Sequence, residues 1–171
     1  MANQITFRHP NKNDTREIFV LIKNSKPLDL NSEYLYLLQT TYFSNTCMVA
    51  ERKNKIIGFV SGFIDPKDKD IFFIWQVAVD NSVRGCGVGF GMLKALFASK
   101  NIVHTKCIHT TISPSNISSQ KLFEKFANEL NFDKEISIFA TKDDFKEAHE
   151  DELLYKFKPI KGGNYENIRN L

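Results

Sequence analysis

The sequence predicts a mixed α/β domain in which helices flank one central sheet. Segments typical of strands and segments typical of amphipathic helices alternate along the chain. Ile71–Val79 is almost entirely apolar, as is typical of a central strand that is buried on both faces. A glycine-rich turn follows this strand directly and leads into a helical segment, so the strand, the turn and the helix are predicted to form one unit.

The N-terminal half is predicted to contain two helices between a first strand and a hairpin. The first helix starts at Asn13 or Asp14, either of which can act as the N-cap, and ends at the Ser25-Lys26-Pro27 break. A second helix is predicted over about residues 32–39. The Lys53-Asn54 pair predicts a turn between two strands. The strands predicted in this half are 5–8, 46–52 and 55–64.

The C-terminal half is predicted to contain two further helices, and three strands besides the apolar one. The helix after the glycine-rich turn runs from about residue 87 to residue 98. Pro114 and Ser115 open the next helix. Its apolar face carries Leu122, Phe123 and Phe126. The remaining strands are predicted at 103–112, 136–140 and 153–157.

Length and composition favour a single domain over residues 1–171. The chain has 171 residues, of which 42% are hydrophobic, and this is enough to build a core without disulfide or metal staples. The polar residues from about position 159 predict a mobile tail. The net charge is +3 and the two signs are mixed along the chain, so the sequence indicates no nucleic-acid partner.

The N-terminus and the cysteines predict a cytoplasmic protein without a metal. Residues 1–7 do not have the basic and then apolar pattern of a signal peptide. No apolar run approaches the roughly 20 residues that a membrane-spanning helix needs. Cys47, Cys86 and Cys107 are odd in number and widely spaced, which favours reduced thiols over disulfides or a metal site.

The glycine-rich turn, Arg84-Gly85-Cys86-Gly87-Val88-Gly89, is the most informative motif. Free N–H groups at a helix start attract anions, and glycines allow a phosphate to approach the backbone closely. The Gly-Lys-Ser/Thr of a Walker loop is absent. The dinucleotide pattern Gly-x-Gly-x-x-Gly fails in both registers, because its last position falls on Phe90 or Met92. The pattern that remains is Arg-x-x-Gly-x-Gly; a glycine-rich turn without a ligand is the alternative.

This remaining pattern resembles the pyrophosphate loop of the GCN5-related N-acetyltransferase (GNAT) superfamily. The resemblance implies an acyl-CoA N-acyltransferase fold, with a mixed central sheet flanked by helices, and acetyl-CoA as co-substrate. It also implies that the preceding strand lies beside the pantetheine arm and that a backbone N–H near Val77 stabilises the oxyanion. The cofactor contacts implied here are Val77, Val79, Arg84, Gly85, Gly87, Val88 and Gly89.

The segment Ser113–Lys125 is similar to the strand-to-helix segment of the same superfamily. The resemblance places Asn116, Ser119 and Phe123 beside the pantetheine arm, although Asn116 also suits an ordinary helix cap. Phe123 stands where the superfamily often has a Tyr that protonates the leaving thiolate. Because a phenyl ring has no proton to give, another group must serve, and Tyr34 and Tyr155 are the candidates.

Four longer segments resemble the L-2,4-diaminobutyrate acetyltransferases of ectoine biosynthesis, and the likeness extends over about residues 5–158. The segments are 25–38, 59–64, 75–79 and 110–116. The resemblance implies acetylation of the 4-amino group of L-2,4-diaminobutyrate, a small diamino acid substrate, and a homodimer. Two other hypotheses stay open: an enzyme of the same fold that acetylates another small amine or a peptide N-terminus, and a non-catalytic acyl-CoA-binding module.

The candidate acceptor residues suit a substrate with two amines. Asp29 and Glu33 are four residues apart near a helix start, so both can face one pocket and bind an ammonium, or they only complement the helix dipole. Trp75 can form a wall of the pocket or be core. His149 and Glu152 either approach the substrate site from the last strands or belong to a solvated, charged loop. Four residues are also assigned catalytic roles: Asp29, Glu33, Tyr34 and Trp75.

A last candidate for the substrate site lies on the strand predicted at 103–112. Alternation places Thr111 and His109 on one face of this strand, where they line the cleft or pack. We include Thr111 among the substrate contacts and leave His109 out of the catalytic set.

Overall fold

The computed structural model describes residues 4–102, 104–147 and 149–160, which form a seven-stranded sheet with helices on both faces. The strands are β1 Thr6–Arg8, β2 Cys47–Arg52, β3 Lys55–Ile64, β4 Ile71–Val79, β5 Cys107–Ile112, β6 Phe132–Ala140 and β7 Glu152–Pro159. The α-helices are α1 Thr15–Lys23, α2 Glu33–Gln39, α3 Val88–Phe97 and α4 Ile117–Leu130. The predicted mixed α/β architecture is therefore confirmed.

The sheet has the order β1-β2-β3-β4-β5-β7-β6. Every neighbouring pair is antiparallel except β4 and β5, which are parallel. A parallel pair needs a crossover connection, and here α3 lies in the connection between β4 and β5. This arrangement places the glycine-rich turn at the C-terminal end of β4, beside the only parallel neighbours in the described sheet.

Each face of the sheet has its own core. One core includes Leu93 and Phe97 of α3 and Phe126 of α4. The other packs Ile18 of α1 and Tyr36 of α2 against the sheet. The apolar faces of these amphipathic helices thus provide the burial that stabilises the domain.

A β-bulge at Trp75 changes which side chains of β4 face each core. Ser61 of β3 pairs with Gln76, but Gly62 pairs with Ile74, so Trp75 has no partner on β3. Ile74 faces the α3/α4 core, whereas Ala78 faces the α1/α2 core. The prediction that β4 is buried on both faces is wrong at this point, because Trp75 is 44% exposed.

β4 and β5 separate beyond the bulge. Their pairing ends at Ile74 and Thr110. The rest of β5 pairs with β7, and residues 76–79 keep β3 as their partner. The separation opens a slot between two otherwise adjacent strands, with the glycine-rich turn at its outer end.

Several predicted boundaries differ from the structure. β5 begins at Cys107, not at 103, because the N–H groups of Lys106 and Cys107 bond to the Asp70 carbonyl; Val103 lies outside the described residues. β6 begins at Phe132, four residues earlier than predicted. The tail expected from about residue 159 overlaps β7 at Pro159, and its positions 161–171 lie outside the described residues.

Asp14, one of the two predicted caps, is the N-cap residue of α1, but its side chain makes no cap hydrogen bond to that helix. Asn11 forms a capping box with Asp14 on the short 3-10 turn before α1. The Asp14 carboxylate accepts hydrogen bonds from the Arg8 guanidinium at 2.8 and 2.9 Å. This ion pair holds the pKa of Asp14 below its ordinary value, against the effect of burial, which acts to raise it.

Gly62→Ala is expected to destabilise the domain, because Gly62 lies opposite the bulge. A Cβ at this position would lie 2.5 Å from the Phe73 carbonyl oxygen and 2.6 Å from the Phe72 ring. Overpacking of this kind costs about 1–3 kcal/mol, so the melting temperature should fall by roughly 5 °C. Circular dichroism melting measures the change.

Gly58→Ala on the same strand is the matched control. Its Cβ would meet the flexible end of Met92 at 2.9 Å instead of backbone, so the melting temperature should fall less. Equal falls for the two variants would show that the bulge does not need a glycine opposite it.

Candidate active site

A cleft of about 440 Å³ lies between the C-terminal half of β4, the start of α3 and the first two turns of α4. Nine of the ten residues predicted to bind the cofactor line this cleft. These nine are Val77, Val79, Arg84, Gly85, Gly87, Val88, Gly89, Asn116 and Ser119. The segment Ser25–Leu28 also lines the cleft and was not expected there.

The glycine-rich turn presents backbone N–H groups to this cleft. Gly85 and Gly87 have φ angles of +76° and +79°, a region that L-residues with a Cβ rarely adopt. Gly87 is the N-cap of α3 and provides no side-chain cap. The first-turn N–H groups of α3 therefore have no partner within the helix and are available to an anion.

Four cations line the cleft, of which sequence reasoning identified only Arg84. The others are Lys26, Lys121 and Lys125. Within the described ranges, no carboxylate lies within 4.0 Å of any of the four. Such a cluster favours a polyanionic ligand. The four-residue spacing of Lys121 and Lys125 on a predicted helix was the available signal, since it places both on one helix face.

The start of α4 closes the cleft. Asn116 is the N-cap of this helix, and its Oδ1 accepts from the Ser119 N–H at 3.2 Å. The assignment of Phe123 as a cofactor contact needs correction, because its ring is 3% exposed and stacks on Phe157 in the core. The helical periodicity places Phe123 with Phe126 on the buried side of α4, away from the cleft lining.

A second group of polar side chains lies near Asp29, outside the cleft lining. His149 Nε2 lies 3.2 Å from Asp29 Oδ2, although the two residues are 120 positions apart. His149 Nδ1 donates to the Glu150 carbonyl at 2.6 Å, and its ring stacks on Phe145 at 4.0 Å. Ser113 donates to the Glu152 carboxylate at 2.8 Å.

The predicted acidic pair is not held by one helix. Asp29 precedes α2, which begins only at Glu33, so the four-residue spacing does not place both carboxylates on one helical face. The Asp29 side chain is 77% exposed and meets His149. Glu33 is an exposed residue in the first turn of α2, capped by Ser32. The structure thus brings Asp29 to His149 and leaves Glu33 in solvent.

The remaining predicted residues lie in three places. Trp75 contacts Phe63 edge-on, with ring centroids 6.4 Å apart, and Thr111 pairs with Leu154 of β7. Trp75 and Thr111 each follow the last β4–β5 pair. Tyr34 is 67% exposed on α2. Tyr155 is 4% exposed; its ring faces the α3/α4 core, and burial raises the pKa of its hydroxyl.

The site has a titratable centre at His149. The carbonyl of Glu150, followed by the carboxylate of Asp29, raises the pKa of the imidazole above its ordinary value. Because folding raises this pKa, the protonated ring stabilises the fold fully below the unfolded pKa of about 6.5. This contribution is lost as the pH rises through the folded value.

The Asp29→Asn variant should lower the pKa of His149 but not to its ordinary value, because the Glu150 carbonyl still accepts from Nδ1. Titration of the imidazole carbon-bound protons by NMR measures the shift. An unchanged pKa in the variant would show that the 3.2 Å contact with Asp29 does not persist in solution.

Two further findings concern the described part of the chain. Its residues contain no group of three or more His, Cys, Asp and Glu side chains that can hold a metal ion. None of its helices is long and apolar enough to span a membrane.

Comparison with known proteins identifies the family. The chain matches the acetyltransferase (GNAT) family over residues 13–127. It is 43% identical to an L-2,4-diaminobutyric acid acetyltransferase of Virgibacillus pantothenticus over 156 residues, 91% of this chain and 98% of that relative. A Marinococcus halophilus protein of the same name is 38% identical over 93% of this chain and 92% of its own length.

Solved structures agree with the sequence relatives. Diaminobutyrate acetyltransferase EctA from Paenibacillus lautus, solved with L-2,4-diaminobutyric acid and coenzyme A, has a TM-score of 0.90 and 36% identity, covering 92% of this chain and 96% of that one. Ard1 from Thermoplasma volcanium has a TM-score of 0.73 at 17% identity, over 94% and 99% of the two chains, and shares the fold alone. The chain therefore belongs to the acetyltransferase (GNAT) family and, within it, to the L-2,4-diaminobutyric acid acetyltransferases.

Proposed function

We propose that this enzyme transfers the acetyl group of acetyl-CoA to the 4-amino group of L-2,4-diaminobutyrate and so makes N4-acetyl-L-2,4-diaminobutyrate for ectoine biosynthesis. One observation carries the proposal. The cleft is lined by the glycine-rich turn and by Val77, and the neighbouring Gln76 donates to the backbone oxygen of Asp29, whose carboxylate lies 3.2 Å from His149. A polyanionic acyl donor fits the cleft, and a diamine fits beside Asp29.

The hydrogen-bond donors and the cations of the cleft suit acetyl-CoA. The N–H groups of the first turn of α3 and the four cations suit its phosphates. The backbone of residues 77–79 lines the cleft, where it can run beside the pantetheine arm. When bound, acetyl-CoA supplies an activated acyl group, and the protein must align it with a neutral amine.

The amine end of the site must remove a proton. A primary alkyl amine has a pKa near 10.4, so only roughly one molecule in a thousand is neutral at pH 7. Asp29 can hold the ammonium, and the His149 imidazole 3.2 Å from this carboxylate is the nearby group proposed to exchange a proton. A backbone N–H near Val77 is the proposed donor to the oxygen that gains negative charge.

The leaving thiolate needs no dedicated acid. Phe123 is buried and has no proton, and Tyr155 is buried in the same α3/α4 core and does not line the cleft. An alkyl thiol has a pKa near 8.5, so its thiolate is a fair leaving group, and water can protonate it.

We also propose a cytoplasmic homodimer that contributes to the response to osmotic stress. Acetyl-CoA and the three free cysteines fit a reducing compartment. β6 is an edge strand, and its Ile138 and Phe139 side chains are 67% and 60% exposed, which favours an interface with a second copy. Light scattering after size exclusion tests the dimer, and Ile138→Lys should dissociate it.

The enzymatic test is release of free CoA thiol from acetyl-CoA by the purified protein. Four acceptors are compared: L-2,4-diaminobutyrate, ornithine, lysine and a short peptide. Selective release with diaminobutyrate, with the 4-amino product identified by NMR, supports the proposal. Preference for the peptide would favour an N-terminal acetyltransferase, and tight acetyl-CoA binding without release for any amine would favour a non-catalytic module.

A further inference from the structure

We infer that Gln76 and Tyr36 are positioning residues, which hold the Asp29–Asn31 segment at a set distance from the β4 backbone and thereby select the length of the acceptor diamine. The inference rests on the proposed function, in which Asp29 holds an ammonium of the substrate. It adds to that proposal the hydrogen-bonded side chains that hold the Asp29 carboxylate in place.

Gln76 uses both ends of its side-chain amide. Nε2 donates to the backbone oxygen of Asp29 at 2.7 Å, and Oε1 accepts from the Tyr36 hydroxyl at 3.3 Å. The same hydroxyl accepts from the Asn31 N–H at 3.2 Å. The segment is therefore held at two backbone atoms, one on each side of Leu30.

This network lies in the interior. Tyr36 is 0% and Gln76 6% exposed, and a buried polar group costs about 1–3 kcal/mol unless it is hydrogen-bonded. Gln39, also on α2 and 3% exposed, provides a contrast, because its Oε1 has no partner among the described residues. Burial beside α2 therefore does not by itself provide a hydrogen-bond partner, whereas both ends of the Gln76 amide have one.

The bulge explains how Gln76 reaches this loop. Without the extra residue at Trp75, alternation would place Gln76 with Ile74 on the α3/α4 side. With it, Gln76 faces α2, and the next residue, Val77, lines the acyl cleft. The side chain that holds Asp29 and the backbone that lines the cleft therefore belong to consecutive residues.

This short connection sets the distance between the ammonium site and the acyl site. The reacting amine must come within about 3–3.5 Å of the acyl carbon, and a misplacement of about 1 Å can cost roughly 100-fold in rate. A diamine with an additional methylene fits such a fixed span poorly. A loosened Asp29–Asn31 segment would discriminate less between diaminobutyrate and ornithine.

Gln76→Leu tests the inference, with Gln39→Leu as the matched control, since both replace a buried glutamine by a similar apolar volume. Gln76→Leu should lower kcat/KM for diaminobutyrate and reduce its preference over ornithine by about tenfold, with acetyl-CoA affinity within about twofold of wild type. Tyr36→Phe should change the preference in the same direction. Gln39→Leu should leave it unchanged.

A readout without turnover separates this inference from the proposed function. If Gln76 places Asp29 beside His149, then Gln76→Leu should lower the pKa of His149 measured by NMR, and Gln39→Leu should not. An unchanged acceptor preference and an unchanged His149 pKa in Gln76→Leu would overturn the inference, even if both variants lose stability. Failure of the wild type to acetylate any diamine would overturn the function instead, and the NMR result would still decide whether Gln76 places Asp29.

Discussion

Gly87→Asp is expected to weaken acetyl-CoA binding by about 100-fold, which corresponds to roughly 2.7 kcal/mol. Gly87 has a φ of +79°, so a residue with a Cβ is strained there by about 1–2 kcal/mol, although no neighbouring atom lies within 4 Å of the added carbon. The new carboxylate would also stand at the start of α3, where the helix dipole and free N–H groups otherwise favour the pyrophosphate. Calorimetric titration with CoA measures the loss.

Gly87→Asn separates strain from charge. Asparagine has nearly the shape of aspartate, is neutral and tolerates the left-handed conformation better than most residues. We expect it to weaken binding by less than about fivefold, and added salt should reduce the difference between the two variants. Equal losses would show that strain alone acts, and no loss in either variant would show that this turn does not bind the pyrophosphate.

Asp29→Asn is expected to lower kcat/KM for diaminobutyrate by roughly 10- to 100-fold. A hydrogen bond to a charged group contributes about 1.5–3 kcal/mol, and the substitution removes the charge but keeps the shape. The backbone oxygen that Gln76 holds is unaffected. The KM for acetyl-CoA should stay unchanged, because Asp29 is not part of the cleft lining. Steady-state kinetics with each substrate varied in turn measures both effects.

Glu33→Gln provides the comparison, because it removes the second carboxylate predicted from the sequence. Glu33 forms no ion pair among the described residues, so we expect a smaller fall than for Asp29→Asn. Equal falls would support the original hypothesis that both carboxylates bind the diamine. A higher KM for acetyl-CoA in Asp29→Asn would contradict the separation of the two ends of the site.

The tertiary structure revised several interpretations because the sequence carries no record of register or of long-range approach. In the sequence, Trp75 is one more residue of an apolar strand. Only the pairing of β4 with β3, which leaves Trp75 without a partner, shows the bulge. Phe123 matches a family position, but stacking on Phe157 buries it. The spacing of Lys121 and Lys125 places both on one helix face, but only the tertiary structure shows that this face lines the cleft.

The sequence by itself determined the order of elements, the central strand and the glycine-rich turn. These features depend on local periodicity, capping and glycine conformations, which neighbouring residues encode. Only the tertiary structure decided that Asp29 meets His149 across 120 positions, that Gln76 reaches the Asp29 backbone, and that β4 and β5 separate after Ile74. Such contacts depend on strand register and on loop placement, and these are settled when the whole sheet packs against its helices.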